Sequence, residues 1–350
     1  MRLGIIGAGG WGTALAVLLA EEGYTVDLWA RELEVTDEIN TCRSNETFLE
    51  GVFVPENVVA TCDMERVIKM NQVLLAPVPA QHMRSVIRQA RPHLTREHVL
   101  IHAAKGIEEG SLMRMSEVIA QELPAELANN IGVISGPSHA EEVARRVPTA
   151  VVAASYHMPV AKLAQEVLMC STFRVYTSKD VIGVELGGAL KNVIALGTGV
   201  SDGLGFGDNT RAAIMTRGIA EIVRLGAALG ANPMTFAGLS GMGDVIVTCM
   251  SMLSRNRRAG MAIAKGKSVD TVMGSTRMVV EGVTTTKAAV ALSKRLNVEM
   301  PIASTLYAVL FEGLDPRKAV EDLMLRMPVP ETRLKFEHIK DSSHSRPGSL

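Results

Sequence analysis

Residues 2–31 constrain the fold of this 350-residue chain more than any other stretch. Arg2–Ile6 is a short apolar run that leads into GAGGWGTALAVLLAEEGYTVDLWAR, where Gly7, Gly9 and Gly12 stand as G-x-G-x-x-G at the start of a helical pattern. A second strand pattern, Thr25–Trp29, closes a strand–turn–helix–strand unit of about thirty residues, the length of one parallel βαβ crossover. Each glycine has a physical reason. Gly7 permits the tight turn, Gly9 lets backbone approach a pyrophosphate, and Gly12 lets the helix pack on the strand, with the helix N-terminus facing the anion. The spacing therefore predicts dinucleotide binding, against the plainer reading of a glycine turn in some other α/β fold.

The second strand ends at Ala30-Arg31 and not at the acidic residue that would hold a ribose 2′-hydroxyl. Asp27 lies inside the strand and points into the sheet, so it does not count. An arginine at this position pairs with a 2′-phosphate, so Arg31 favours NADPH, with NADH possible; the alternative is a solvated loop cation. Further strand-like runs at Val58–Thr61, Gln72–Ala76, Val99–His102 and Ile131–Ile134 alternate with helical patterns, as in a mostly parallel sheet. Ligands bind beyond the carboxyl ends of such strands, and Val78-Pro79, Lys105-Gly106 and Ser135-Gly136-Pro137-Ser138 fall there. Residues 148–176 read as strand, helix, strand, after which Asp180 opens a helix and the period-2 pattern disappears. The remaining segments, 183–200, 208–229, 232–238, 254–265, 268–274, 284–296, 301–313 and 315–326, read as helices, with Pro233, Pro301 and Pro316 near their starts. The expected class is α/β: an N-terminal Rossmann-type dinucleotide-binding domain (1–180), a C-terminal all-helical substrate and catalytic domain (181–334), and a polar, aperiodic tail (335–350) expected to be disordered.

Within the helical half, Val184–Asp202 strands one charge. From Leu186 to Ser201 the only ionisable residue is Lys191. Gly187, Gly188, Ala195 and Thr198 flank it at helical spacing, small enough for a ligand to approach the ammonium, and desolvation would bring its pKa into the range useful for proton transfer. A lone lysine could instead snorkel its head to water. In GLSGMGDVIVTCMSMLSRNRRAG, Asp244 stands between a glycine turn and an apolar helix. Ser254 reads as an N-cap followed by basic residues, a dianion receptor through Arg255 and Asn256, while Arg257 and Arg258 read as surface charge.

The formal net charge of −1 offers no footprint for nucleic acid or an anionic membrane, so an anionic substrate must be met by a local cluster. The four cysteines form no CxxC pair, and the eight histidines show no ligand spacing, so no metal is expected. The cysteine pattern and the absence of a secretory signal pattern imply a cytoplasmic location; with no run of eighteen apolar residues, no membrane insertion is expected.

At this point the chain resembles the soluble, bacterial-type NAD(P)-dependent glycerol-3-phosphate dehydrogenases. GAGGWGTA, AAKGIE, ISGPSHAEEV, GVELGGALKNVIALGTGVSDGLGFGDNTRAAIMTRG, GLSGMGD, LSRNRR, VVEG and MPI occur in that family's order. The resemblance implies an oxidoreductase that interconverts dihydroxyacetone phosphate and sn-glycerol 3-phosphate by hydride transfer with NAD(P)H, supplying glycerol 3-phosphate for phospholipid synthesis, and a homodimer whose partner is a small phosphorylated substrate. It implies Lys191 as proton donor and acceptor, Lys105 as the second lysine at the substrate and at the cofactor, and Asp244 as the acid beside them. Gly136, Ser138, Ser254, Arg255 and Asn256 match substrate positions. Gly10, Trp11, Arg31, Ala140, Arg255, Val279 and Glu281 match cofactor positions. Ala104, His139, Glu141 and Gly10 depart from the usual Thr, Phe, Lys and Ser. Two readings compete: a 3-hydroxyacid or 6-phosphogluconate-type dehydrogenase, and a non-catalytic NADPH-binding sensor.

Overall fold

A computed structural model describes residues 1–274 and 279–331; the expected disordered tail lies outside the described residues. Eight strands, β1 (Arg2–Ile6), β2 (Thr25–Trp29), β3 (Val58–Thr61), β4 (Val73–Ala76), β5 (Val99–His102), β6 (Ile131–Ser135), β7 (Thr149–Ala154) and β8 (Phe173–Ser178), form one sheet in the order β3-β2-β1-β4-β5-β6-β7-β8. Only β6 and β7 pair antiparallel. The strand order reverses between β1 and β4, so the crevice above their carboxyl ends is the topological switch point at which such sheets bind ligands.

Residues of β4 are wholly buried, as expected of a strand covered by helices on both faces. One covering helix, Gly10–Glu21, is buried without a break from Gly12 to Ala20. A Cβ at Gly12 would lie 1.8 Å from the Gly7 carbonyl oxygen, so only glycine lets this helix start so close to β1. Asp27 is fully buried in β2, where it accepts from Arg2 Nε (2.6 Å) and Nη2 (2.9 Å) and from Asn71 Nδ2 (2.8 Å). Its role is to join the sheet, as its in-strand position predicts.

The helical half is built around Val181–Gly203. Its start is fixed by Asp180, whose carboxylate accepts from Gly183 N (3.0 Å) and also from Asn232 N (3.0 Å) and Thr235 Oγ1 (2.6 Å). By length and composition this helix could cross a membrane, but its apolar window is 89% buried inside the protein, where the other helices pack on it. Helix Arg255–Ala264 crosses it backbone to backbone. A Cβ at Gly199 would stand 2.1 Å from Arg257 O, and one at Gly260 2.1 Å from Leu196 O.

Two sequence expectations are corrected here. Arg257 is buried, pairs with Asp202 (2.7 Å) and donates to Met250 O (2.6 Å), so it pins the crossing helices and is not surface charge; Arg258 is exposed. The space beside Gly187 and Gly188 is filled by protein and not by a ligand: added Cβ atoms would meet Ser240 O at 2.2 Å and Ser135 Oγ at 2.5 Å. Gly188 brings the Lys191 helix against β6, and Gly187 brings it against the turn Leu239–Gly243.

Candidate active site

A cleft of about 390 Å³ opens at the switch point, between the sheet and the helical half. From the N-terminal side it is lined by Gly7, Gly9, Gly10, Trp11, Arg31, Lys105, Ser138 and Ala140, and from the helical side by Lys191, Ser254, Arg255, Asn256, Val279 and Glu281. Positions spread over most of the sequence thus meet in one cavity. Gly12, Gly136 and Asp244 stand behind this lining.

At one end the glycine turn offers an anion cradle. Gly9 caps the first helix with extended backbone and no side-chain bond, and a Cβ there would meet nothing within 4 Å. The first helical bond runs from Thr13 N to Gly9 O (2.9 Å), so the N–H groups before it are left for a ligand. A dinucleotide pyrophosphate fits this cradle. The glycine at position 10 has a local cause, because a Cβ would lie 2.6 Å from Phe48 O. Arg31 stands on the rim, where its Nε donates to Glu32 Oε1 at 2.9 Å.

At the other end two lysines converge on one carboxylate. Lys105 Nζ donates to Asp244 Oδ2 (2.8 Å) and to Gly136 O (2.8 Å), and Lys191 Nζ donates to Asp244 Oδ1 and to Thr248 Oγ1 (2.9 Å). The snorkelling alternative is thereby excluded: Lys191 is buried and paired. Thr248 gives its own proton to Asp244 O (2.6 Å), so it serves Lys191 as an acceptor. Two of the three Lys191 protons are held by Asp244 and Thr248, which leaves the third for the cleft. Burial pushes the Lys191 pKa down to about 7; Asp244 opposes that fall and Lys105 adds to it. Asp244 opens helix Asp244–Met250 directly after a wide π-type turn, Leu239–Gly243, which brings its carboxylate under both lysines.

A relay of amides ties this centre together. Asn192 Nδ2 donates to Lys105 O (2.9 Å), Asn256 Nδ2 to Asn192 Oδ1 (2.8 Å), and Gly282 N to Asn256 Oδ1 (2.8 Å). Ser254 caps its helix by accepting from Arg257 N (3.2 Å), as its place in the sequence predicts. Arg255 faces the cleft without an ion pair among the described residues; crowding by protein lowers its pKa, and Glu281 partly offsets this. Glu281 accepts from Ala80 N (3.0 Å), while its Oε2 is buried without a partner among the described residues and burial raises its pKa. An unpaired guanidinium in a cleft and an unsatisfied buried carboxylate oxygen beside it both fit a polar ligand that would bind between them.

Sequence reasoning missed Asn192, Thr248 and Glu32 as members of the site. Thr248 was findable, since it lies one helical turn after Asp244 and so shares its face. His139 was noted only as a departure. It lines the cleft with Nε2 buried and unpartnered among the described residues; burial and the two lysines push its pKa down against the opposing pull of Glu141 and Glu142, which favours a neutral ring.

Comparison with known proteins agrees with this geometry. Residues 2–161 match the family model of the N-terminus of NAD-dependent glycerol-3-phosphate dehydrogenase, and residues 180–321 that of its C-terminus. The chain is 54% identical over 325 residues to a glycerol-3-phosphate dehydrogenase [NAD(P)+] of Pelotomaculum thermopropionicum, covering 93% of each chain. It is 50% identical over 343 residues to that of Halalkalibacterium halodurans, covering 98% of this chain and 99% of the relative. Among solved structures, a glycerol-3-phosphate dehydrogenase from Coxiella burnetii superimposes with a TM-score of 0.88 at 38% identity, covering 93% of this chain and 99% of that one. The family replaces the 3-hydroxyacid and 6-phosphogluconate-type alternative. With its Rossmann-type sheet, its helical second half and a cleft that gathers the residues of both, the chain belongs to the NAD-dependent glycerol-3-phosphate dehydrogenase family.

Proposed function

We propose that this enzyme interconverts dihydroxyacetone phosphate and sn-glycerol 3-phosphate. The observation that carries the reading is the pair Lys105 and Lys191 on the two oxygens of Asp244, in the same cleft as Arg255, which has no ion pair among the described residues. When bound, NAD(P)H supplies the hydride that reduces the C2 carbonyl, or its oxidised form accepts it in reverse. Lys191 Nζ gives the C2 oxygen a proton as its negative charge develops, and takes that proton back in the oxidative direction. Lys105 adds a second positive charge at the same oxygen, and Asp244 holds both ammonium groups in place. Arg255 and Asn256, behind the Ser254 cap, hold the phosphate, with Gly136 and Ser138 along the substrate.

Gly7, Gly9, Gly10, Trp11 and Gly12 would hold the pyrophosphate. Ala140, Val279 and Glu281 line the path of the cofactor, with Lys105 and Arg255 also beside it. Arg31 meets the adenosine end and favours NADPH over NADH through the 2′-phosphate. We divide the chain at residue 180 into a dinucleotide-binding and a helical substrate domain, and read it as a cytoplasmic homodimer that feeds phospholipid synthesis. Mixing the purified protein with NADPH and dihydroxyacetone phosphate and following absorbance at 340 nm tests the central reading. Binding of NADPH without any loss of absorbance would leave the sensor alternative.

A further inference from the structure

We propose that Glu32 sets how the chain divides its affinity between NADPH and NADH, by competing with the 2′-phosphate for Arg31. The inference rests on the reading that Arg31 meets the 2′ position of the cofactor.

Glu32 occupies the N-cap of helix Leu33–Cys42 with extended backbone (φ −93°, ψ 128°), yet its side chain makes no capping bond. A carboxylate at a helix N-terminus ordinarily turns toward the free N–H groups there. This one turns to Arg31 instead: its Oε1 accepts from Nε at 2.9 Å and also from Nη2. Both residues line the rim of the cleft. Their side chains are 73% and 38% exposed, so water screens the pair and it opens easily. Asp27 cannot take the part of the strand-end acid, because it is buried and held by Arg2 and Asn71.

Two different ligand ends meet this pair differently. A 2′-phosphate needs the guanidinium fork that Glu32 occupies, and after displacing the carboxylate it must share the rim with a like charge. A 2′-hydroxyl leaves the Arg31–Glu32 pair intact and donates a hydrogen bond to the carboxylate. Glu32 thus weakens NADPH and assists NADH, which narrows the preference that Arg31 alone would give.

The test is equilibrium titration of the full chain with NADPH and with NADH, at low and at moderate salt. Quenching of tryptophan fluorescence is the readout, since Trp11 and Trp29 line the cleft. Glu32→Gln should tighten NADPH about three- to tenfold at low salt, less at moderate salt, and leave NADH unchanged or weaker. Glu32→Ala should do the same, while Arg31→Gln should abolish most of the preference for NADPH. If both Glu32 variants change the two nucleotides equally, or neither, while Arg31→Gln still removes the preference, Glu32 is only a rim charge and the proposal fails alone. If Arg31→Gln leaves the NADPH-to-NADH ratio unchanged, the reading of Arg31 fails, and the competition proposed for Glu32 fails with it.

Discussion

Lys105 and Lys191, one from the loop after β5 and one from the core helix, hold opposite oxygens of a single buried carboxylate. Removing either lysine therefore leaves the other paired, so each can be tested without stranding the Asp244 charge. Lys191→Met keeps the shape and loses the proton. Turnover should fall by about 10²- to 10⁴-fold, the range of general acid–base catalysis, with NADPH binding little changed. Near-normal turnover would transfer the donor role to Lys105.

The depressed pKa of Lys191 fixes the sign of a pH dependence. Reduction needs the ammonium form, so kcat/KM for dihydroxyacetone phosphate should be level below pH about 7 and fall above it. Oxidation needs the free amine, so kcat/KM for glycerol 3-phosphate should rise through the same pH. Profiles in both directions check this, and two profiles bending the same way would count against Lys191.

Arg255 reaches the cleft with no protein counter-ion among the described residues. Arg255→Ala should cost about 1.5–3 kcal/mol on dihydroxyacetone phosphate from the charged hydrogen bonds, and more as the carbonyl loses its orientation. Reduction of unphosphorylated dihydroxyacetone should fall far less. Comparing kcat/KM for the two substrates separates a phosphate ligand from a residue that serves the cofactor or the fold, since the latter would lower both equally.

Glu221 lies buried on helix Asp208–Ala228, where it accepts from the first N–H groups of helix Pro301–Phe311, Ile302 N (2.6 Å) and Ala303 N (3.2 Å). Burial raises its pKa from 4.5 to about 7, against the pull of those backbone bonds. The folded state therefore holds this proton more tightly than the unfolded chain. Its contribution to stability is full below pH about 4.5 and is lost as pH rises through 7. Melting temperatures from pH 5 to 7.5 should decline more steeply for the native sequence than for Glu221→Gln. Parallel curves would show that Glu221 does not titrate in this window.

How far the sequence discloses this enzyme depends on the range of each interaction. The glycine turn, the strand ends carrying Lys105 and Gly136, and the Asp180 and Ser254 caps all follow from neighbours within a few residues, and the fold places them as expected. Arg257 was misread because its partner Asp202 is 55 residues away, and only the helix crossing brings them together. The amide relay through Asn192 and Asn256 is hidden for the same reason. Periodicity reveals that β7 is a strand but not that it runs against β6, since pairing direction leaves no mark on which side chains are buried. Glu32 is hidden because an acid at a helix N-cap is expected to serve the cap, and only the side-chain geometry turns it to Arg31.

The contact between Gly199 and Gly260 has a consequence for what the enzyme accepts. Lys191 and Arg255 stand on two helices whose backbones touch, with no side chain between them to compress or rotate. The crossing thereby fixes the two supports from which Lys191 and Arg255 extend, and any adjustment to a substrate falls to those side chains alone.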